Sequence, residues 1–369
     1  MGDVTADVTP APVAGPHSAP DRANPAGAPD PVGPVGAPSP ARRWLALAAL
    51  VVALAVVIAL SLALGAAAIG PAEVWHALTS PGQDPATVVV RDLRLPRTIV
   101  GLLAGAALGL AGAVMQGLTR NPLADPGILG VNAGASFAVV LAISVLGLTS
   151  PAAFIWFALA GAACAAGLVY GIGALQRGAA SPVGLALAGM ALTAGLTSLT
   201  TLVLLTDTAT LASYRLWSVG SLAGRGAEAA VTLLPFLAAG ALLAACSGRM
   251  LNLLALGEDL ARGLGQNLAL ARIACGLAVV LLAGAATALA GPIMFVGLMV
   301  PHAVRQLVGT DYRWILAFCA IGGPILLLGA DIIGRLVVPP GELEAGIVVA
   351  VLGAPVLIAL ARRTRLGSL

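Results

Sequence analysis

The sequence predicts an all-α integral membrane protein with ten transmembrane helices and both termini in the cytoplasm. Of its 369 residues, 59% are hydrophobic and only 9% are charged, so most of its surface must face lipid or other apolar segments. The apolar residues form ten runs, and helices satisfy their own backbone polar groups inside a bilayer. Many of the 46 glycines lie within these runs, where small residues let membrane helices pack closely.

The chain is predicted to begin with a disordered cytoplasmic tail, residues 1–41, followed by one membrane domain, residues 42–369. The tail holds ten of the 25 prolines and almost no large apolar residue that could form a core. The first apolar run, Leu45 to Ile69, has about 25 residues, which is too long for a typical signal peptide. It is long enough to cross a hydrocarbon core of about 30 Å, so we expect it to be retained as the first span.

The other nine spans are predicted from apolar runs of similar length. They lie at 98–118, 126–147, 152–175, 182–206, 229–246, 270–290, 293–309, 314–334 and 345–361. The run at 293–309 is short and contains Pro301, so it predicts a broken or tilted helix. The longest internal loops, about 70–97, 207–228 and 247–269, have room for short helices only.

Arginine placement predicts the orientation. With ten crossings, 13 of the 19 basic residues share the side of the tail, which is therefore predicted to be cytoplasmic. Six arginines go against this bias, and they either reach lipid headgroups or meet an acidic partner. They are Arg91, Arg94, Arg97, Arg215, Arg225 and Arg335.

A proline-broken turn joins the second and third runs. Asn121 and Asp125 each precede a proline, Pro122 and Pro126, in a pairing that ends one helix and begins the next with a side-chain cap. The residues are compatible with a plain cytoplasmic connection or with a broken helix that lines a cavity. Before this turn, Gly101, Gly105 and Gly109 repeat at the spacing of a close helix-packing seam.

The fifth run carries a stripe of hydroxyl groups. Thr193, Thr197, Thr200 and Thr201 fall at positions i, i+4, i+7 and i+8, which places them on one helix face. Each hydroxyl could bond back to the carbonyl one turn earlier and the stripe merely pack. Alternatively, these weak uncharged groups line a passage for a bulky polar solute.

The segment from 247 to 269 is predicted to lie in the cytoplasm as a pair of short helices. It carries Glu258, Asp259 and Arg262, and glycines divide it into short pieces. A solvated surface loop is one interpretation. A docking segment for a cytoplasmic motor protein is the other, because such a segment transmits motion between chains.

Several activities are excluded by what the chain lacks. All 19 basic residues are arginine, so a GxxxxGK[ST] phosphate loop and a lysine Schiff base are both absent. Three histidines are too sparse for a site that binds bare metal ions, so a metal cargo should travel chelated. Apart from Asp331, no carboxylate lies inside a predicted span, which counts against a proton-driven carrier.

Five separated motifs resemble the permease subunits of ABC importers for iron siderophores, haem and cobalamin. The resemblance covers residues 45 to 363, in the same order as in the family. Its motifs are LRLPRTIVGLLAGAALGLAGAVMQGLTRNPLADPGILGVNAGAS, ALGEDLARGLG, GPIMFVGLMVPHAVRQLVGTDYR, LLLGADIIGR and GELEAGIVVAVLGAP. The resemblance implies a ten-span permease without a cofactor of its own, because ATP and Mg²⁺ are bound by partner ATPase subunits.

The resemblance also assigns roles to individual residues. Arg94, Arg97 and Arg335 would face acidic residues of an extracytoplasmic substrate-binding protein. The ATPase-coupling residues would be Glu258, Asp259, Ala261, Arg262 and Gly265. The cytoplasmic gate would lie at Ser181, Pro182 and Val183, before a fifth span that lines the path.

The predicted function is therefore the import of an iron(III)-siderophore complex across the bacterial cytoplasmic membrane, driven by ATP hydrolysis on other subunits. The resemblance implies a second permease, identical or paralogous, two ATPases, the binding protein and surrounding lipid, but no nucleic acid. Cobalamin or haem is the alternative cargo for the same architecture. A proton-coupled secondary transporter is the distant alternative.

Overall fold

The computed structural model describes residues 39–65, 68–80, 82–148, 150–175, 182–339 and 341–366, and within these ranges the regular elements are helices. The fourteen α-helices are α1 Pro40–Ala63, α2 Pro71–Thr79, α3 Pro85–Val88, α4 Leu95–Thr119, α5 Val131–Leu146, α6 Pro151–Leu175, α7 Pro182–Thr206, α8 Thr208–Ser218, α9 Ala227–Ala255, α10 Glu258–Gly263, α11 Leu268–Ala290, α12 Val296–Val308, α13 Tyr312–Val337 and α14 Ala345–Leu366. A π-helical turn, Val89–Arg94, precedes α4, and a 3₁₀ turn, Pro126–Leu129, precedes α5.

Seven helices of the described residues are long and apolar enough to cross a membrane: α1, the segment Pro85–Thr119 that ends with α4, α6, α7, α9, α11 and α13. Two further apolar helices, α5 and the Ala345–Ala359 part of α14, are shorter. Each of the ten apolar runs in the sequence therefore coincides with a helix, although three of these helices do not reach spanning length and hydropathy by themselves. The chain is an all-helical, multi-pass membrane protein.

The first helix differs from its predicted bounds at both ends. It begins at Pro40, inside the predicted tail, because the Ser39 hydroxyl accepts a hydrogen bond from the Arg42 amide at 3.4 Å and caps the helix. It ends at Ala63 rather than near Ile69, since Leu64 is in an extended conformation. The remainder of the predicted tail, residues 1–38, lies outside the described residues.

The predicted loops contain more helix than the sequence indicates. The 70–97 segment folds into α2, α3 and the π-helical turn, and half of the 207–228 segment is α8. Much of the predicted 247–269 loop is the end of α9, so one short helix, α10, stands where a pair was expected. The helix predicted at 293–309 begins only at Val296, after Phe295 adopts a φ of 69°.

The centre of the bundle is formed by α4, α11 and α13. Helix α4 packs against α9, α11, α12 and α13. In the segment that ends with α4, 78% of the most apolar stretch is buried, whereas the corresponding share is 11% for both α1 and α7. Helix α4 is therefore a core helix, and α1 and α7 are peripheral.

The glycines that repeat along one face of α4 form a packing seam. A Cβ atom at Gly105 would lie 2.6 Å from the Cα and N atoms of Pro324 in α13, and one at Gly109 would lie 2.5 Å from the Cys319 carbonyl oxygen. One turn further along, a Cβ atom at Gly112 would overlap the carbonyl oxygen of Gly297 in α12. A side chain does not fit at these distances, so glycine lets the backbones meet.

Replacing Gly105 by alanine is expected to lower the free energy of unfolding by about 1 to 3 kcal/mol, because the new methyl group overpacks against Pro324. The matched control is Gly329→Ala in α13, where an added Cβ has no neighbour within 4 Å. The control should be neutral or slightly stabilising. Unfolding of the purified protein in detergent micelles measures both, and equal losses at the two positions would contradict the seam.

Candidate functional site

Arg97 of α4 and Asp331 of α13 form a buried ion pair at one end of the bundle. The Arg97 Nε atom lies 3.0 Å from both carboxylate oxygens of Asp331, and its Nη2 atom lies 2.8 Å from Oδ1. The Nη1 atom of Arg97 donates to Glu342 Oε2 at 2.6 Å, just before α14. A single guanidinium thus joins α4 to α13 and to the segment that leads into α14.

Two more arginines attach the carboxyl end of α1 to the same place. Arg335 forms an ion pair of 3.2 Å with Asp331 and donates to the carbonyl oxygens of Ser61 and Leu64 at 3.0 and 2.8 Å. Arg94 donates to the carbonyl oxygens of Leu62 and Ala63 at 2.8 and 2.7 Å. The last carbonyls of a helix lack partners within the helix and carry negative partial charge, so cations stabilise them.

We call Arg94, Arg97, Asp331, Arg335 and Glu342 the arginine cluster. Its three arginines, predicted from the sequence to face a binding protein, are only 6%, 9% and 4% exposed, respectively. Their guanidiniums bond to groups of this chain, and Asp331 is completely buried between two of them. A direct docking contact by these three side chains would have to compete with these internal bonds, so docking remains a prediction.

A cleft of about 550 Å³ opens beside the arginine cluster. Its wall includes Asp92, Arg225, the three arginines of the cluster and Glu342. Arg225 lies in the loop before α9, where burial lowers the pKa of its guanidinium and Glu344 opposes that shift. The cleft is therefore a charged surface at the end of the bundle where α4 begins.

The turn between α4 and α5 is a side-chain-capped helix break. Asn121 Oδ1 accepts a hydrogen bond from the Leu123 amide at 2.9 Å, and Asp125 Oδ1 accepts from the Gly127 amide at 2.8 Å. Asp125 caps the 3₁₀ turn, in which Pro126 is the first residue, while Pro122 lies in the bend before it. The 3₁₀ turn in this break packs against α7, because Gly189 of α7 lies directly on the Ile128 carbonyl.

A small polar cavity of about 200 Å³ lies between α5, α7 and α8. Thr193, Thr197 and Thr200 of the predicted stripe line it from α7. The lining is completed by Asn132, Ala133 and Ser136 of α5 and Tyr214 of α8, which no pattern in the sequence singles out. These side chains are uncharged donors and acceptors, so the cavity is suited to weak contacts with a polar solute.

The threonines of the stripe do not behave alike. Thr200 and Thr201 donate to the carbonyl oxygens four residues earlier, at 2.8 and 2.9 Å, as the packing interpretation predicts. Thr201 does not belong to the lining of the polar cavity, whereas Thr193, Thr197 and Thr200 do. The predicted gate begins outside the described residues at Ser181, and Pro182 and Val183 form the start of α7.

At the other end of α4, Glu258 of α10 is surrounded by three arginines. Its Oε1 atom lies 2.7 Å from Arg272 Nη2 of α11 and 3.4 Å from Arg120 Nη2, which follows α4. Its Oε2 atom lies 3.7 Å from Arg262 Nη2 within α10. We call Arg120, Glu258, Arg262 and Arg272 the Glu258 cluster.

The other predicted coupling residues are placed differently. Asp259 is fully exposed and pairs only with Arg262, at 3.3 Å, among the ion pairs found in the described part of the chain. Ala261 is completely buried on the inner side of α10. Gly265 follows α10 with a φ of 83°. Their role in coupling stays a prediction, and the sequence alone does not distinguish the buried side of this segment from the exposed side.

One buried polar contact near the Glu258 cluster is not apparent from the sequence. Gln116 of α4 is 1% exposed and donates to the Gly297 carbonyl at 3.1 Å. Its Oε1 atom accepts a bond of 2.5 Å from Arg305, which also contacts the Tyr312 hydroxyl at 3.2 Å. These bonds join α4, α12 and α13.

The described residues contain no group of three or more His, Cys, Asp or Glu side chains arranged to hold a metal ion.

Replacing Asp331 by alanine is expected to lower the free energy of unfolding by about 3 to 5 kcal/mol, because it removes the fully buried counter-charge of Arg97 and Arg335 and leaves only Glu342 beside Arg97. Glu342→Gln is the matched control, since the Glu342 side chain is 36% exposed. An exposed pair contributes about 1 kcal/mol or less. Denaturation in mixed micelles measures both variants, and an Asp331 variant as stable as the control would contradict the assigned role.

Comparisons with known proteins agree with this architecture. Residues 53–363 match the FecCD transport family. The ferric enterobactin transport system permease protein FepD of Escherichia coli (strain K12) is 48% identical over 326 residues, which cover 88% of this chain and 97% of the relative. The iron(3+)-hydroxamate import system permease protein FhuB of Bacillus subtilis (strain 168) is 43% identical over 311 residues, covering 84% and 80%.

A solved structure described as an inward-facing conformation of a metal-chelate type ABC transporter has the same fold. One of its chains aligns with a TM-score of 0.75 and 29% identity, over 86% of this chain and 99% of that chain. The sequence match covers nearly all of the described helices, and the resemblance inferred from the five motifs is confirmed. The chain therefore belongs to the FecCD transport family, the permeases of ABC importers.

Proposed function

We propose that this chain is the permease subunit of an importer that carries an iron(III)-siderophore complex across the bacterial cytoplasmic membrane. The observation that carries the proposal is the family match over residues 53–363, together with relatives named for ferric enterobactin and iron(3+)-hydroxamate. Two cytoplasmic ATPase subunits bind ATP and Mg²⁺ and drive the transport. A second permease, identical or paralogous, completes the passage.

In the proposed topology the ten helices at the apolar runs cross the bilayer and both termini are cytoplasmic. Arg120, Arg262 and Arg272 then lie on the cytoplasmic side, which agrees with the preference of positive charge for that side. The arginine cluster lies at the extracytoplasmic end, where burial and internal ion pairs compensate its charge. This pairing explains why three arginines are tolerated on the side that disfavours them.

The polar cavity is the proposed cargo path. Thr193, Thr197 and Thr200 line it from α7, and Asn132 and Ser136 line it from α5. An iron chelate is bulky and rich in oxygen atoms, so uncharged groups can hold it briefly without retaining it. The proposed cytoplasmic gate consists of Ser181, Pro182 and Val183. The helix break from Asn121 to Pro126 shapes the wall of the proposed path between α4 and α5.

The charged cleft is the proposed docking surface for an extracytoplasmic binding protein. Arg94, Arg97 and Arg335 lie in its wall and contribute positive potential, while their hydrogen bonds hold the helices in place. Arg225 lies in the same wall and is only partly buried, so it is the better candidate for a direct contact. Positive potential speeds the encounter with an acidic partner.

Two alternatives differ in cargo or in energy source. Cobalamin or haem would use the same architecture. A proton-coupled carrier would need an acid that gains and loses a proton during transport. Asp331, the carboxylate buried within the bundle, is held by Arg97 and Arg335, which favours a structural role for it.

Uptake by a strain that lacks the gene for this permease and is complemented with this chain tests the cargo. Cells receive ferric siderophores labelled with radioactive iron, haem or labelled cobalamin, one at a time. The proposal expects that complementation restores iron uptake from at least one ferric siderophore. Restoration of cobalamin or haem uptake alone would overturn the proposed cargo without affecting the family assignment.

Replacing Thr197 by phenylalanine is expected to reduce cargo uptake several-fold, because the larger side chain fills part of the polar cavity. ATP hydrolysis by the assembled importer should continue. Thr206→Phe is the matched control, since Thr206 ends the same helix outside the cavity lining and its hydroxyl donates to the Val203 carbonyl. Uptake in proteoliposomes measures both variants, and equal effects would contradict the path.

Replacing Arg225 by glutamate is expected to slow association of the binding protein with the importer, because the variant reverses a charge in the cleft wall. An exposed ion pair contributes about 0.2 to 1 kcal/mol, so the loss of affinity should be small and should disappear at high salt. Arg215→Glu serves as the control, since Arg215 is exposed outside the cleft wall. Surface plasmon resonance on importers in nanodiscs reports the rates, and identical rates for both variants at low salt would reject this docking surface.

A further inference from the structure

Helix α10 is connected to the rest of the chain through two glycines with left-handed backbone. Gly257 has a φ of 105° immediately before α10, and Gly265 has a φ of 83° just after it. An added Cβ at either position would meet nothing within 4 Å, so neither glycine is wedged against a neighbour. Helix α10 is therefore joined to α9 and α11 through two turns rather than as a continuation of either helix.

Side-chain contacts hold α10 against the neighbouring helices, and the charged contacts converge on Glu258. Its carboxylate reaches Arg272 in the first turns of α11 and Arg120 at the end of α4. Ala261 is buried on the same helix, and Gln266 Nε2 donates to the Met250 carbonyl at 3.2 Å. The large side chains exposed in this segment are Asp259, Leu260, Arg262 and Leu264.

We propose that Glu258 is a positioning residue that ties α10 to the ends of α4 and α11, so that displacement of α10 moves both helices. The inference rests on the proposed function, because the displacement comes from the ATPase subunit. It revises the sequence-based role of Glu258 from a contact with that subunit to an internal link. Contact with the ATPase belongs to the exposed side of α10, which carries Asp259.

The Glu258 cluster is better suited to this role than an isolated surface ion pair. Single exposed pairs contribute little, whereas networks with reduced exposure contribute more. The side chains of Glu258 and Arg272 are only 24% and 20% exposed, and their 2.7 Å contact is short. Helices α4 and α11 also pack against each other, so one carboxylate acts on two adjoining core helices.

The test compares Glu258→Gln with Asp259→Asn, two neighbouring carboxylates of opposite exposure. The first readout is amide hydrogen exchange of residues 258–266 in the full-length permease alone, in nanodiscs. Glu258→Gln should raise exchange in this segment, and Asp259→Asn should leave it unchanged. The second readout uses the importer reconstituted with its ATPase and measures ATPase binding and cargo imported per ATP hydrolysed.

Glu258→Gln is expected to keep ATPase binding and to lower the import per ATP by about two- to thirtyfold, the range for single residues on a coupling route. Asp259→Asn is expected to weaken ATPase binding instead. The exchanged pair Glu258→Arg with Arg272→Glu should recover part of the coupling, which a general loss of folding would not allow.

Three results would overturn the proposal. Weaker ATPase binding by Glu258→Gln with unchanged exchange would make Glu258 a contact residue. Raised exchange with unchanged import per ATP would show that the link does not transmit motion. Absence of ATP-driven uptake by the wild-type importer would reject the proposed function and the transmission step with it, while the exchange comparison would still decide whether Glu258 anchors α10.

Discussion

The buried carboxylate of Asp331 is the interaction on which the arrangement of the surrounding helices depends. A charge without water must be paired, and Asp331 is paired with Arg97 of α4 and Arg335 within α13. Arg335 in turn binds the last carbonyls of α1, whose own packing is otherwise slight. Removing Asp331 would leave Arg335 without its buried counter-charge and Arg97 with only the partly exposed Glu342, so this carboxylate holds α1, α4 and α13 together as a unit.

Helix α4 connects this cluster with the Glu258 cluster. With 25 residues it is about 37 Å long, which is enough to reach from one side of a bilayer to the other. Its glycine face lies against α13 and α12 without intervening side chains, so the helix has little freedom to tilt independently of them. In the proposed importer, a movement that begins at α10 therefore passes to α4 and reaches the docking cleft through the same rigid core.

The sequence predicts the helices well and the contacts of charged side chains poorly. Each apolar run coincides with a helix of the described residues, because hydropathy is a local property, and seven of these helices are long and apolar enough to cross a membrane. The partner of Arg97 lies 234 positions away, and the pattern around Asp331 gives no sign that the two meet. Likewise, Glu258 and Asp259 are adjacent acids, yet only the fold separates an inward carboxylate from an exposed one. In the lining of the polar cavity, Thr197 belongs to a stripe that is visible in the sequence, whereas Tyr214 comes from the short helix α8 and has no such signal.

The central claim is that this chain is a passage moved by ATP hydrolysis on other subunits. The most direct test reconstitutes the permease in liposomes with and without its ATPase, supplies the binding protein and ferric siderophore outside, and follows labelled iron. The account predicts accumulation only when the ATPase and internal ATP are present, unaffected by a protonophore. Accumulation by the permease alone, or its collapse on addition of the protonophore, would contradict the account.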